Sequence, residues 1–216
     1  FGGADSWRRI AGRQSFPASG PFTVSVTFCA SPQQSGNAVI LSADGSTPFY
    51  LGRLWNGNVR AGDAWNDTGV PFPSDGLWHR LTLVRQDSAT ILYLDGDEKA
   101  RLGHGIPNPS GLDFRIGRQY GEHGEYFRGA VAEVVVFSEA HSAAQVRGYD
   151  GGGLVGAKPG VCTLVRFDLD RGAEQVSGQP CSGLGDLRSA PAQPPLVSSG
   201  PSLSTAASIK PQNFTV

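Results

Sequence analysis

The strongest constraint on this chain is a two-residue rhythm. In the stretch from Phe22 to Cys29, FTVSVTFC, the apolar residues Phe22, Val24, Val26 and Phe28 fall on one face and Thr23, Ser25 and Thr27 on the other. Side chains alternate sides only in an extended strand, so the stretch predicts a half-buried β-strand. The same rhythm returns in the segment from Gly76 to Gly96, GLWHRLTLVRQDSATILYLDG, as Leu81 to Arg85 and Thr90 to Leu94, closed by Asp95-Gly96. An Asp-Gly pair after an alternating run predicts a tight hairpin turn.

Further runs carry the pattern along the chain. AVILSADG and PFYLGRLWNGNVRAG contain turn signals at Asp44-Gly45 and Asn56-Gly57, the latter a hairpin with Trp55 at its tip. Phe114 to Gly117 and Ala130 to Phe137 supply two more strands. Helical signal is confined to Ser138 to Val146, where Ser138 or Ser142 can cap one or two turns. Nine or ten short strands before residue 140, with almost no helix, predict a sandwich or barrel of antiparallel sheets. After Gly151 the character changes: GGGLVGAKPG punctuates the chain, VCTLVRFDLD offers one strand, and Gly, Pro, Ser and Ala dominate the rest. The expected division is therefore a sandwich over residues 1–150 and an extended or docking tail over 151–216.

Composition narrows the function. With 39% apolar residues in 216, the chain can bury a sizeable core. Its net charge of -1 supplies no field to gather DNA or RNA, so nucleic acid is not an expected partner. No apolar run approaches the roughly 18 residues of a membrane span, so no membrane insertion by this segment is expected. The start at Phe1 and the lack of methionine read as a processed protein or a piece of a longer one. Cys162 and Cys181 flank a turn-rich loop and are the expected disulfide of an oxidising compartment, whereas Cys29 ends an apolar strand and is expected unpaired. Asn66-Asp67-Thr68 and Asn213-Phe214-Thr215 are N-glycosylation sequons. Together these features point to the cell surface or outside.

With the strands placed, several phrases in order resemble a laminin-G-like, concanavalin-A-like lectin domain over about residues 1–150. They are Phe1-Gly2-Gly3-Ala4-Asp5, the strand at Phe22, the Trp78-His79 hairpin ending in Asp95-Gly96, and Arg115-Ile116-Gly117-Arg118 followed by Tyr126 to Val134. The resemblance implies a jelly-roll β-sandwich of two antiparallel sheets, used for adhesion and for carbohydrate or protein recognition, often with Ca2+ at one rim. Some members are modules appended to enzymes such as sialidases.

Alternation places His79 with Leu81 and Leu83, toward the core, so a structural histidine bonded to backbone or a neighbouring strand is expected rather than a catalyst. A glycosidase needs two carboxylates facing each other across a cleft. Glu133 stands alone among valines, Asp95, Asp97 and Glu98 sit in a turn, and Asp168 and Asp170 read as a solvated strand face. No enzyme is expected. For calcium the acidic loop residues are Asp44, Asp63, Asp67, Asp75, Glu122 and Glu125, with Asp63 and Asp67 the chosen pair and His123 beside the glutamates. Sugar binding needs an exposed aromatic ring beside amides or carboxylates, and RLWNGNVRAGDAWNDTG offers Trp55, Asn56, Asn58, Asp63 and Trp65. The expected function is a noncatalytic recognition or assembly module, a structural subunit or adhesive domain joined to other protein subunits. The alternatives are a glycan-binding module or the accessory lectin domain of a larger glycoside hydrolase or sialidase.

Overall fold

The computed structural model describes residues 1, 7–10, 16–62, 64–110, 114–121, 123–149, 161–168 and 173–180. Two antiparallel sheets face each other. The first holds β1 (Arg8–Ile10), β9 (Phe114–Ile116), β3 (Ala38–Ala43), β4 (Phe49–Arg53) and β5 (Val59–Ala61), in that order across the sheet. The second runs β12 (Ala173–Pro180), β11 (Val161–Asp168), β10 (Gly129–Phe137), β2 (Phe22–Ala30), β6 (Trp78–Arg85), β7 (Thr90–Leu94) and β8 (Asp97–Leu102). This is the expected jelly-roll β-sandwich.

The alternation that marked the strands also fills the core. Phe22, Val24, Val26 and Phe28 of β2 lie beside Leu81 and Leu83 of β6, and all are fully buried. They meet Ile40, Leu41, Phe49, Leu51, Val59 and Ala61 from the first sheet. Two bulges correct the rhythm where it would otherwise fail. In β10 the register against β2 shifts between Val131 and Glu133, so Val131, Val134 and Val136 all join the core. A shift in β3 between Val39 and Leu41 likewise lets Ile40 and Leu41 both face inward.

The outer face of the seven-stranded sheet is closed by a short helix, α1 (Ala143–Arg147), whose Val146 packs on Val84, Ile91 and Tyr93. Ser142 is its N-cap, forming with Gln145 the reciprocal pair that satisfies two otherwise unpaired N–H groups. Just beyond it, Tyr149 donates its hydroxyl to Glu133 Oε2 at 2.6 Å. Glu133 is thus a structural anchor among the valines.

The chain beyond residue 150 was expected as an extended or docking tail with one strand; in its described part β11 pairs with β10 and β12 with β11. Cys162 lies on β11, where the register sets Gln179 opposite it. Cys181, Asn213 and the remainder of the tail lie outside the described residues. Among the described residues no helix is long and apolar enough to cross a membrane.

Candidate functional site

The β4–β5 connection and the loop after it form the candidate site. Gly57 donates to Leu54 O at 2.9 Å and Leu54 to Asn58 O at 2.8 Å, with Gly57 at φ 94°. A three-residue hairpin loop ending in a left-handed glycine has this pattern, and it lifts the residues before the glycine away from the sheet. Trp55 at that tip is 72% exposed. An indole that large in water is the exception among the described apolar side chains, shared only with Leu77 at 52%.

The chain then folds back beside β5, bridging Asn58 to Pro71 and Ala61 to Trp65. The return sets Asp67 against the turn. Its carboxylate accepts from Asn56 Nδ2 at 2.7 Å, Asn58 Nδ2 at 2.8 Å and the Gly69 N–H at 2.9 Å. The Gly69 N–H above all, then the Asn58 and Asn56 amides, hold Asp67 below the ordinary carboxylate range, so it is ionised. Asn56, Asn58 and Asp67 form one cross-braced polar patch behind Trp55.

Trp65, expected in the same aromatic platform, is instead buried in the core, 8% exposed. The Ala61–Trp65 bridge turns its backbone into the sheet edge, and burial takes the indole. Asp63 lies outside the described residues. The expected calcium pair does not suit a cation at its described half, because Asp67 faces three N–H donors. Of the other candidate acids, Asp44 pairs with Arg115 at 3.2 Å and Glu125 with Arg60 at 2.9 Å, and Glu122 lies outside the described residues. Among the described residues no three His, Cys, Asp or Glu side chains converge as a metal site.

A second cluster, which the sequence did not suggest, covers the outer face of β4 and β5. Arg60 stacks its guanidinium 3.9 Å above the Tyr50 ring and donates to Glu125. Asn37 donates to the other Glu125 oxygen at 2.9 Å. The Tyr50 hydroxyl donates to Asn66 Oδ1 at 3.2 Å, and the Tyr120 ring lies nearly parallel to Tyr50 at 6.5 Å. These residues are far apart in sequence, and only the two-residue outward phase of Tyr50 and Arg60 hinted at them.

His79 faces the core side of β6, as expected, opposite Phe28. Its partners are neither backbone nor a neighbouring strand: they are the carboxylates of Asp95, at 2.8 Å, and Asp75, at 3.1 Å. Asp95 also accepts from the Arg80 N–H at 2.8 Å, and Asp75 from the Leu77 N–H at 2.9 Å. The arrangement ties two loops to one strand.

A family model for the concanavalin A-like lectin/glucanases superfamily matches residues 2–147. No curated protein matches the chain. Among solved structures, a carbohydrate-binding protein from Bacteroides ovatus, so described provisionally, is similar at 19% identity and TM-score 0.60, over 83% of this chain and 60% of that one. Domain 4 of a GH43 extracellular arabinanase from Geobacillus stearothermophilus, in complex with arabinotriose, is similar at 20% identity and TM-score 0.50, over 64% of this chain and 69% of that one. Mouse laminin α1 domains LG4-5 are similar at 18% identity and TM-score 0.50, over 63% of this chain and 39% of that one. At these identities the likeness is one of fold. By the match over residues 2–147 and the sandwich that carries it, the chain belongs to the concanavalin A-like lectin/glucanases superfamily, as a laminin-G-like domain.

Proposed function

We propose that this domain is a noncatalytic recognition module, working outside the cell, that binds glycans at the rim formed by Trp55, Asn56, Asn58 and Asp67. The observation that carries the reading is Trp55: an indole 72% exposed at a rigid turn, beside a polar patch braced by Asp67. Sugar rings have apolar faces and polar edges, and this combination meets both. The Bacteroides carbohydrate-binding protein and the arabinotriose-bound arabinanase domain support it at the level of fold.

The noncatalytic part rests on the carboxylates. Asp75 and Asp95 flank a common point, but the His79 ring occupies it, leaving no room for a glycosidic oxygen and a water between them. The test is a glycan array probed with the wild-type protein and with Trp55→Ala. Signal for one sugar class, lost in the variant, supports the reading; a silent array, or signal indifferent to the change, overturns it.

The β11–β12 hairpin supports a second reading, a subunit of a larger surface assembly. It widens the seven-stranded sheet beyond the family match, and residues 181–216 follow directly after β12. Removing 181–216 should abolish assembly in sedimentation while the sandwich stays folded. Assembly that survives the deletion sinks this reading.

A further inference from the structure

We infer that the ligand of the Trp55 rim is an internal stretch of a neutral polysaccharide, several sugar units long, whose far end rests on Tyr120 above the Arg60–Glu125–Asn37 cluster. This rests on the glycan-binding reading and extends it to ligand length and charge.

The two clusters are physically continuous. Tyr50 is the second residue of β4 and Trp55 stands five residues later, in the turn that ends it, a span of up to about 16 Å at roughly 3.3 Å per residue. The returning loop bridges that span with consecutive residues: Asp67 reaches Asn56 and Asn58, while Asn66 accepts from the Tyr50 hydroxyl. Tyr120, half-exposed, lies nearly parallel to Tyr50, and exposed His123 stands edge-on to it at 6.0 Å. The outer face of the sheet, with its β4–β5 turn, therefore carries aromatic rings at Trp55 and Tyr120 with amides and a carboxylate among them. A single sugar can reach one end only, whereas a chain reaches both.

The far end also has unmet hydrogen-bonding capacity. Arg60 is 4% exposed, and its Nε is buried with no partner; Asn37 Oδ1, on the other side of the same Glu125 carboxylate, is likewise buried and unpartnered. A buried donor and a buried acceptor are each costly to leave unmade. Glu125 itself is held at φ 51°, a left-handed conformation that ordinary side chains avoid, with its carbonyl accepting from the Val39 N–H at 2.9 Å.

Charge selects a neutral chain. Asp67 is anionic in the middle of the track, and the Arg60 cation is already paired with Glu125. A uronate or sulfated chain would meet repulsion at Asp67, while Arg53, the cation beside the Gly57 turn, is engaged by the carbonyls of Gly36 and Leu54.

The experiment is titration calorimetry of the full chain with arabino-, xylo- and cello-oligosaccharides from disaccharide to hexasaccharide, and with oligogalacturonates as the anionic probe. For one neutral series the dissociation constant should tighten about tenfold between disaccharide and tetrasaccharide, then level off, with oligogalacturonates at least tenfold weaker at equal length. Tyr120→Ala should return tetrasaccharide binding to the disaccharide level and leave the disaccharide unchanged; Trp55→Ala should remove both. Asn66→Ala, at an exposed position, should mimic Tyr120→Ala and covers the case in which the tyrosine variant fails to fold. Binding that needs Trp55 but ignores chain length, ignores both Tyr120 and Asn66, or favours the anionic series overturns the inference while leaving the glycan-binding reading standing. No binding in any series overturns both.

Discussion

The imidazole of His79 stands between two carboxylates, with Nδ1 2.8 Å from Asp95 Oδ2 and Nε2 3.1 Å from Asp75 Oδ1. A carboxylate only accepts, so both contacts are hydrogen bonds only when both ring nitrogens carry a proton. Burial opposes that charge, but the bonds and charges of Asp95 and then Asp75 outweigh it and raise the His79 pKa. The stabilisation is present in full below the ordinary histidine value of about 6.5 and is lost as pH climbs through the raised one. Melting temperature should therefore fall across that window. His79→Gln should flatten the fall and cost about 1–3 kcal/mol at the acid side, read by denaturant melts at a series of pH values.

His141 should act in the opposite sense. It is 3% exposed, stacked on Phe137 at 4.6 Å, and burial lowers its pKa despite Glu139 at 3.4 Å. Its neutral form is the folded one. Stability from this site is present above the ordinary histidine pKa and is lost as pH falls through the lowered one. His141→Phe keeps the ring stack and should remove that acid-side loss, visible as a shallower decline in melting temperature on acidification.

The two tryptophans of the candidate loop should separate cleanly. Trp55→Ala removes an exposed ring, so stability should change by no more than about 0.5 kcal/mol while sugar binding disappears. Trp65→Ala empties a core position and should cost about 3–5 kcal/mol. Equal destabilisation by the two in urea melts would contradict the placement of the loop.

At Gly52 an added Cβ would sit 2.1 Å from Ala38 O and 2.8 Å from Val39 Cα, both backbone atoms of the adjoining strand. Neither can swing aside. Gly52→Ala should therefore destabilise by about 2 kcal/mol or more, or abolish soluble expression, whereas Gly103→Ala, where the space is open, should be near neutral.

Asn66 is both a sequon and a neighbour of Tyr50 in the proposed track. A glycan attached there would occupy the rim. Protein made in a glycosylating host should lose oligosaccharide affinity in proportion to Asn66 occupancy measured by mass spectrometry, and enzymatic deglycosylation should restore it. Undiminished affinity at full occupancy would remove Asn66 from the site.

Much of the sandwich was legible because strand alternation and core burial are the same fact seen twice. Phe22, Val24, Val26 and Phe28 announced both, and of the two serines that could cap the short helix, Ser138 and Ser142, the structure uses Ser142. Glu133 shows where the pattern stops: it breaks a valine run, and only the register shift beside it and the Tyr149 hydroxyl explain how it is tolerated.

The sequence by itself determined the strand set, the turns and the side of β6 on which His79 lies, because these follow from neighbours within a few residues. Tertiary structure decided which of Trp55 and Trp65 faces water, which carboxylates hold His79, and that Tyr50 meets Tyr120 seventy positions later. Those outcomes depend on how loops return across the sheet, and a returning loop is placed by contacts between distant residues that no local pattern encodes.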